Sequence, residues 1–164
     1  MNCICCMDNF DYFTHLSGML RKMLPRQKLD DNTVVISCRG GNRLPELSLC
    51  FDSCIIISDT ASGIIDIRAD KSVLIMPYEA VERDPCGMKN ISLITLGMSS
   101  RSTLCCSSIA PDRIMVSLQR SITNFYNEII EPAEFCLRAP PERSQYASMA
   151  LLAVKMLMCK SSVI

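Results

Sequence analysis

The chain contains no tryptophan, and only four tyrosines and five phenylalanines stand among its 164 residues. Aromatic anchors are scarce, so the eleven methionines and eleven cysteines must fill the core space that rings fill elsewhere. Neither sign of charge is in excess: 17 lysines and arginines balance 17 aspartates and glutamates. That balance lacks the electrostatic footprint of a chain that grips nucleic acid or an anionic membrane, and neither partner is expected. Together with 49% hydrophobic residues, it favours self-association. No apolar run approaches the roughly 20 residues that span a bilayer. The longest candidate, 147–158, is short and carries Lys155. The first eleven residues have no basic stretch and reach an acid at Asp8, so no secretion signal is expected and the chain reads as cytoplasmic.

Several chemical motifs are missing as well. No G-x-x-x-x-G-K-[ST] phosphate loop occurs anywhere, which removes the usual nucleotide cradle and its lysine. The only histidine is His15, on a predicted helix between Thr14 and Leu16, with nothing to position a third group for a Cys–His nucleophile. Cys3, Cys5 and Cys6 form a soft thiolate cluster, but no partner C-x-x-C pair completes a zinc or copper site. Residues 1–8 are therefore expected to be a frayed terminus, and no metal or other cofactor is expected. An odd cysteine count without a secretion signal argues against a disulfide framework. Cys38, Cys50, Cys54, Cys105, Cys106 and Cys136 lie in or beside apolar segments, where cysteine acts as a small hydrophobe in a reducing cytosol. Cys105 and Cys106 point to opposite faces of a predicted strand and cannot chelate one ion together.

What is present is an alternation of strand and helix signals over a single domain, 1–164. Phe10, Phe13, Leu16, Leu20, Met23 and Leu24 have the spacing of an amphipathic helix over 9–24, stopped by Pro25. Thr33–Cys38 (TVVISC), 53–58 (SCIIIS) and 91–96 (ISLITL) read as buried strands. Weaker extended pieces are expected at 64–68 and 73–76, a short helix at 44–51, and a connection with at most one helical turn at 78–88. Residues 103–109 and 113–119 predict an antiparallel pair through the Ala110-Pro111-Asp112 turn, with Ile114, Val116 and Leu118 on one face. Residues 121–130 are ambiguous, 134–138 predict a last strand, and 144–159 a helix with an Ala, Leu and Met face. Continuous apolar strands alternating with helices imply an α/β fold: a mainly parallel sheet flanked by helices, with an antiparallel β extension.

Asp52 with SCIIISDT, then SLITLG, RSTLCCSSI, RIMVSLQ and YASMALLAV, in that order, resembles the second half of the central domain of the Mur ligases. Those enzymes use ATP to add amino acids to peptidoglycan precursors. The resemblance covers about half of the chain and rests on the order of weak motifs rather than on any one of them. It implies an α/β domain with a β-meander leading into a final helix. The family's phosphate loop is absent, its carbamylated lysine and magnesium-binding carboxylate and histidine have no clear matches, and its H-N-x-x-N helix entry reads Arg143, Ser144, Gln145, Tyr146 here. The resemblance therefore implies a reduced, non-catalytic relative, a binding or assembly module for a nucleotide-like or cell-wall-precursor ligand or for a protein partner.

The leading ligand site in the sequence is Arg39-Gly40-Gly41-Asn42-Arg43, between a strand and a possible helix. Its glycines let backbone N–H groups approach an anion and its arginines match phosphate or carboxylate. The alternative is a solvated turn. Second come Ser99, Ser100 and Arg101, with Ser102 and Thr103, at the carboxyl end of a strand, where open α/β sheets bind ligands. There the alternative is a turn whose hydroxyls satisfy local backbone. Asp52, Asp59, Asp66 and Asp70 are the carboxylates available for acid–base work, with no partner acid indicated. Two competing functions remain: a small enzyme acting on an anionic substrate at the 39–43 turn, and a structural homo-oligomer joined through a sheet edge or the Met-rich helices.

Overall fold

The structure, a computed structural model, describes residues 1–7, 12–13, 16–26, 32–38, 50–59, 68–83, 91–139 and 144–160. Its elements, in chain order, are β1 (Asn2–Met7), α1 (Leu16–Arg26), β2 (Thr33–Cys38), β3 (Cys50–Ile57), β4 (Arg68–Pro77), α2 (Tyr78–Arg83) and β5 (Ser92–Gly97). There follow β6 (Leu104–Ala110), β7 (Arg113–Leu118), β8 (Ile122–Thr123), β9 (Ile129–Ile130), β10 (Glu134–Arg138) and α3 (Gln145–Met158). Eight strands form one sheet in the order β10-β7-β6-β5-β4-β3-β1-β2, and β8 and β9 form a separate hairpin. β1 through β6 pair parallel, and β7 and β10 add antiparallel strands beyond them. The expected α/β architecture is observed.

The sheet is buried on both faces because its strands carry apolar side chains at odd and even positions alike. One face presents Ile4, Cys6, Ile55, Ile57, Val73, Ile75, Ile94 and Leu96 to α1 and α3. The other presents Cys3, Phe51, Cys54, Ile56, Leu74 and Met76, with Ala80 of α2 packed on them. On α3, Ala147, Ala150 and Ala153 are fully buried, and their small side chains bring the helix axis close to the strands. Burying each large residue such as Ile75 or Leu104 contributes about 1.5–3 kcal/mol.

The N-terminal segment corrects the expectation of a frayed end. Residues 2–7 form β1, an interior strand between β3 and β2, and Cys3, Ile4, Cys5 and Cys6 are all buried. In a strand flanked on both sides and covered on both faces, cysteine serves as a small buried hydrophobe without a β-branched signature. α1 starts at Leu16, later than the helix expected from residue 9, and runs through Pro25 to Arg26. Proline is tolerated there because only the final turn loses a backbone bond. Residues 9–11, most of the helix expected at 44–51, and the extended piece expected at 64–67 lie outside the described residues; Cys50 and Phe51 open β3. The ambiguous stretch resolves into the β8–β9 hairpin, with Asn127 in the left-handed region at φ 61°.

β6 shares only two register pairs with β5, Leu96↔Leu104 and Gly97↔Cys105. It then runs on with β7 alone, through a bulge between Cys106 and Ser108, and Ser107 to Ala110 are exposed. The six-residue link from Gly97 to Leu104 is far shorter than a helical crossover. It works because β6 lies alongside only the last two residues of β5.

Candidate functional site

Six parallel strands, β1 to β6, point their carboxyl ends to one edge. The chain leaves β1 towards β2 on one side, while β3, β4 and β5 extend on the other. The switch point, where open α/β sheets form a crevice, therefore lies between β1 and β3. The residues that follow these strands build the edge: Tyr12 and Phe13 after β1, Ser58 and Asp59 after β3, Tyr78 and Glu79 after β4, and 98–103 after β5.

Three of those segments meet at one cluster. The Tyr12 and Tyr146 rings stand edge to face with centroids 4.7 Å apart at 75°. The Tyr146 hydroxyl donates to the Glu79 carboxylate, 3.2 and 3.3 Å from its two oxygens. Burial first, then the Glu79 charge and the hydrogen bond, hold the Tyr146 phenol above its ordinary range, so it stays a donor at neutral pH. The cluster ties the β1–α1 connection to the first turns of α2 and α3. Sequence reasoning missed it because its members lie far apart in the chain. The usable signal was a tyrosine–glutamate pair placed directly at a strand end.

The 98–103 loop is held from within. The Ser99 hydroxyl accepts from the Arg101 amide at 3.2 Å, and the Ser102 amide donates to the Ser99 carbonyl at 3.0 Å. Thr95 and Thr103 exchange bonds: the Thr103 amide donates to the Thr95 hydroxyl at 2.8 Å, and the Thr95 amide to the Thr103 hydroxyl at 3.2 Å. This pair stands in for ladder bonds where β5 and β6 diverge. Arg120 Nη2 donates to the Arg101 carbonyl at 2.8 Å. Of the three residues singled out here, Ser99 thus uses its hydroxyl locally and Ser100 is exposed. Arg101 is exposed with Glu82 3.9 Å from its guanidinium. Arg39, Gly40, Gly41, Asn42 and Arg43 lie outside the described residues. They follow β2, whose carboxyl end is four strand spacings from that of β5, about 19 Å at ordinary sheet spacing.

Gly97 closes this loop by close approach. A Cβ at that position would lie 2.4 Å from the Ser102 hydroxyl oxygen and 3.4 Å from Tyr78 Cβ. Ser102 is fully buried and its hydroxyl has no hydrogen-bond partner among the described residues. Gly97→Ala is therefore expected to cost about 1–3 kcal/mol through overpacking. Ser102→Ala removes an unpaired buried oxygen and should be neutral or stabilising. In the double variant the added methyl meets Ser102 Cβ at 3.5 Å instead, and most of the loss should return. Urea denaturation of the four-member cycle measures this; additive single effects would rule out the contact.

Other candidates are separated. Asp52 and Asp70 are exposed at the opposite, amino edge of the sheet, Asp59 lies at the carboxyl end of β3, and Asp66 and His15 lie outside the described residues. The amino edge borders a cavity of about 390 Å³ where Lys71 donates to the Phe125 carbonyl at 2.9 Å and to Asn127 Oδ1 at 2.8 Å. Cys3 and Cys54 are register partners in the sheet interior. The hydrogen bond between them lowers the Cys3 thiol against the effect of burial, and the same bond and burial raise Cys54. Both are shielded from solvent, so they serve packing. Among the described residues, no group of three metal-ligating side chains converges, and no helix is long and apolar enough to cross a membrane. No protein-family profile matches the chain, and no curated protein matches it.

Proposed function

We propose that the chain is a non-catalytic binding or assembly module, a reduced relative of the Mur ligase central domain. The observation that carries this reading is the connection between β1 and α1. In an open parallel sheet, polyphosphate rests on bare N–H groups of a glycine-rich turn between the first strand and first helix. Here residues 8–15 read DNFDYFTH, with no glycine and no lysine. The segment carries two acids instead, Asp8 and Asp11, and Tyr12 and Phe13 are engaged in packing. The order β3, β5, β6, β7, β10, α3 also agrees with the meander and final helix that the resemblance implies.

The ligand is anionic, of the nucleotide-like or cell-wall-precursor class, held by Arg39, Gly40, Gly41, Asn42 and Arg43, with Ser99, Ser100 and Arg101 as a separate secondary site. The test is thermal unfolding of reduced protein with ATP, UDP-sugars, peptidoglycan precursors and inorganic phosphate, alongside Arg39→Ala/Arg43→Ala. Ligand at a hundred times its Kd should add about 2.7 kcal/mol, a rise of about 5–10 °C, that the double variant loses. No ATP is turned over. No shift with any ligand removes the ligand reading, and turnover lost in the variant replaces it with the enzyme alternative. The assembly reading is favoured by a separate observation, the open edge of β10.

A further inference from the structure

We propose that the edge strand β10 is a self-complementary interface through which two copies of this chain join into one continuous sheet. This names the surface for the assembly reading and rests on it, but it is independent of the ligand.

Among the described residues β10 pairs with β7 on one side and with nothing on the other. The Ala133 carbonyl accepts from the Leu118 amide at 2.9 Å, and the Ala139 amide donates to the Asp112 carbonyl at 3.0 Å. Odd-numbered residues therefore direct their backbone groups towards β7. By the alternation of an antiparallel ladder, Glu134, Cys136 and Arg138 direct theirs outward to the free edge. These three have exposed side chains, whereas Phe135 and Leu137 are half-buried on the face that α3 covers. A groove of about 480 Å³, floored by Phe135, Leu137, Leu151 and Met23, opens beside the strand.

The occupant follows from the order of side chains. Antiparallel pairing of two β10 strands about Cys136 sets Glu134 opposite Arg138 of the second copy, and Arg138 opposite its Glu134. It sets Phe135 opposite Leu137 on the apolar face, and Cys136 opposite Cys136. Every outward amide and carbonyl of the three even residues finds a partner, giving about six backbone bonds. Charged side chains on an edge strand commonly guard it against pairing. Here opposite charges stand at symmetric positions, so a second copy matches where a like-charged strand would not. The two-fold axis stands perpendicular to the sheet, which places both α3 helices on the same face beside the seam. Such an isologous contact closes as a dimer and does not propagate.

The test uses the full chain under reductant at about 100 µM, with mass measured by light scattering on a sizing column. The wild type should run at twice the chain mass of 18.3 kDa. Glu134→Arg and Arg138→Glu, each placing like charges opposite one another twice, should weaken the dimer by at least about tenfold. The combined charge swap, Glu134→Arg with Arg138→Glu, should restore it. Both residues are exposed, so far-ultraviolet circular dichroism should be unchanged. Diamide, which takes two electrons and two protons from paired thiols, should yield a covalent dimer that Cys136→Ser abolishes. A monomeric wild type overturns both the interface and the assembly reading. A dimer insensitive to the reversals, or one the swap fails to restore, overturns the β10 interface alone.

Discussion

Asn124→Ala should destabilise the chain by about 3 kcal/mol, because it removes four hydrogen bonds and strands a buried carbonyl. Asn124 is buried in the turn between β8 and β9. Its side-chain oxygen accepts from the Tyr126 and Glu128 amides, both at 2.9 Å. Its amide donates to Glu128 Oε2 at 2.9 Å and to the Cys159 carbonyl at 3.0 Å, just past the end of α3. One side chain thus shapes a hairpin whose two-residue strands are too short to hold it, and anchors the end of the helix that covers the sheet. The Phe125 amide adds a second tie, to the Leu157 carbonyl at 2.9 Å. A loss of about 3 kcal/mol corresponds to a fall of about 6–12 °C in Tm for a chain of this size. Asn124→Asp keeps the acceptor and loses both donors, and it places a carboxylate beside Glu128. It should cost at least as much as alanine at neutral pH. Urea titration followed by circular dichroism checks both, and a shift below about 1 kcal/mol for alanine would show that the network carries little.

The elements legible in the sequence are those with a local cause. β2 was visible as a run of β-branched residues, the β6–β7 turn as Ala110-Pro111-Asp112, and α3 as an apolar periodicity after two prolines. β1 was not, because Cys3, Cys5 and Cys6 resemble metal ligands as readily as core residues. Only their place between β3 and β2 decides the matter. The β8–β9 hairpin escaped because its cause is a side chain, Asn124, and a left-handed residue, Asn127, rather than a pattern of hydrophobicity. Of the candidate sites, the 98–103 loop was legible as a strand's carboxyl end and its internal hydrogen bonding was not, while 39–43 lie outside the described residues. Ser99 was rightly placed at a strand's carboxyl end, yet its hydroxyl closes its own turn. The Tyr12, Glu79 and Tyr146 cluster is a product of topology, since strand order alone brings those three segments together.

Phe13→Ala should cost about 4 kcal/mol, the largest single effect expected here, while leaving any anion-induced shift in Tm unchanged. Phe13 is 1% exposed and packs in the cluster formed by β1, β3, β4, β5, α1 and α3. Its carbonyl accepts from the Leu16 amide at 3.0 Å and so sets the start of α1. The residue stands where a nucleotide-binding sheet needs bare backbone, and it spends that place on burial. Truncation to alanine leaves a cavity beneath the helix start, and Tm should fall by about 8–16 °C. Phe13→Leu retains most of the volume and should lose under about 1.5 kcal/mol. Were the ring instead part of a ligand pocket, both variants would change the ligand-induced shift out of proportion to their stability. A ring that serves only the core changes Tm in the absence of ligand and leaves the increment with ligand the same. The comparison thus separates a connection given over to stability from one that still holds a ligand, and it does so without assuming which anion is bound.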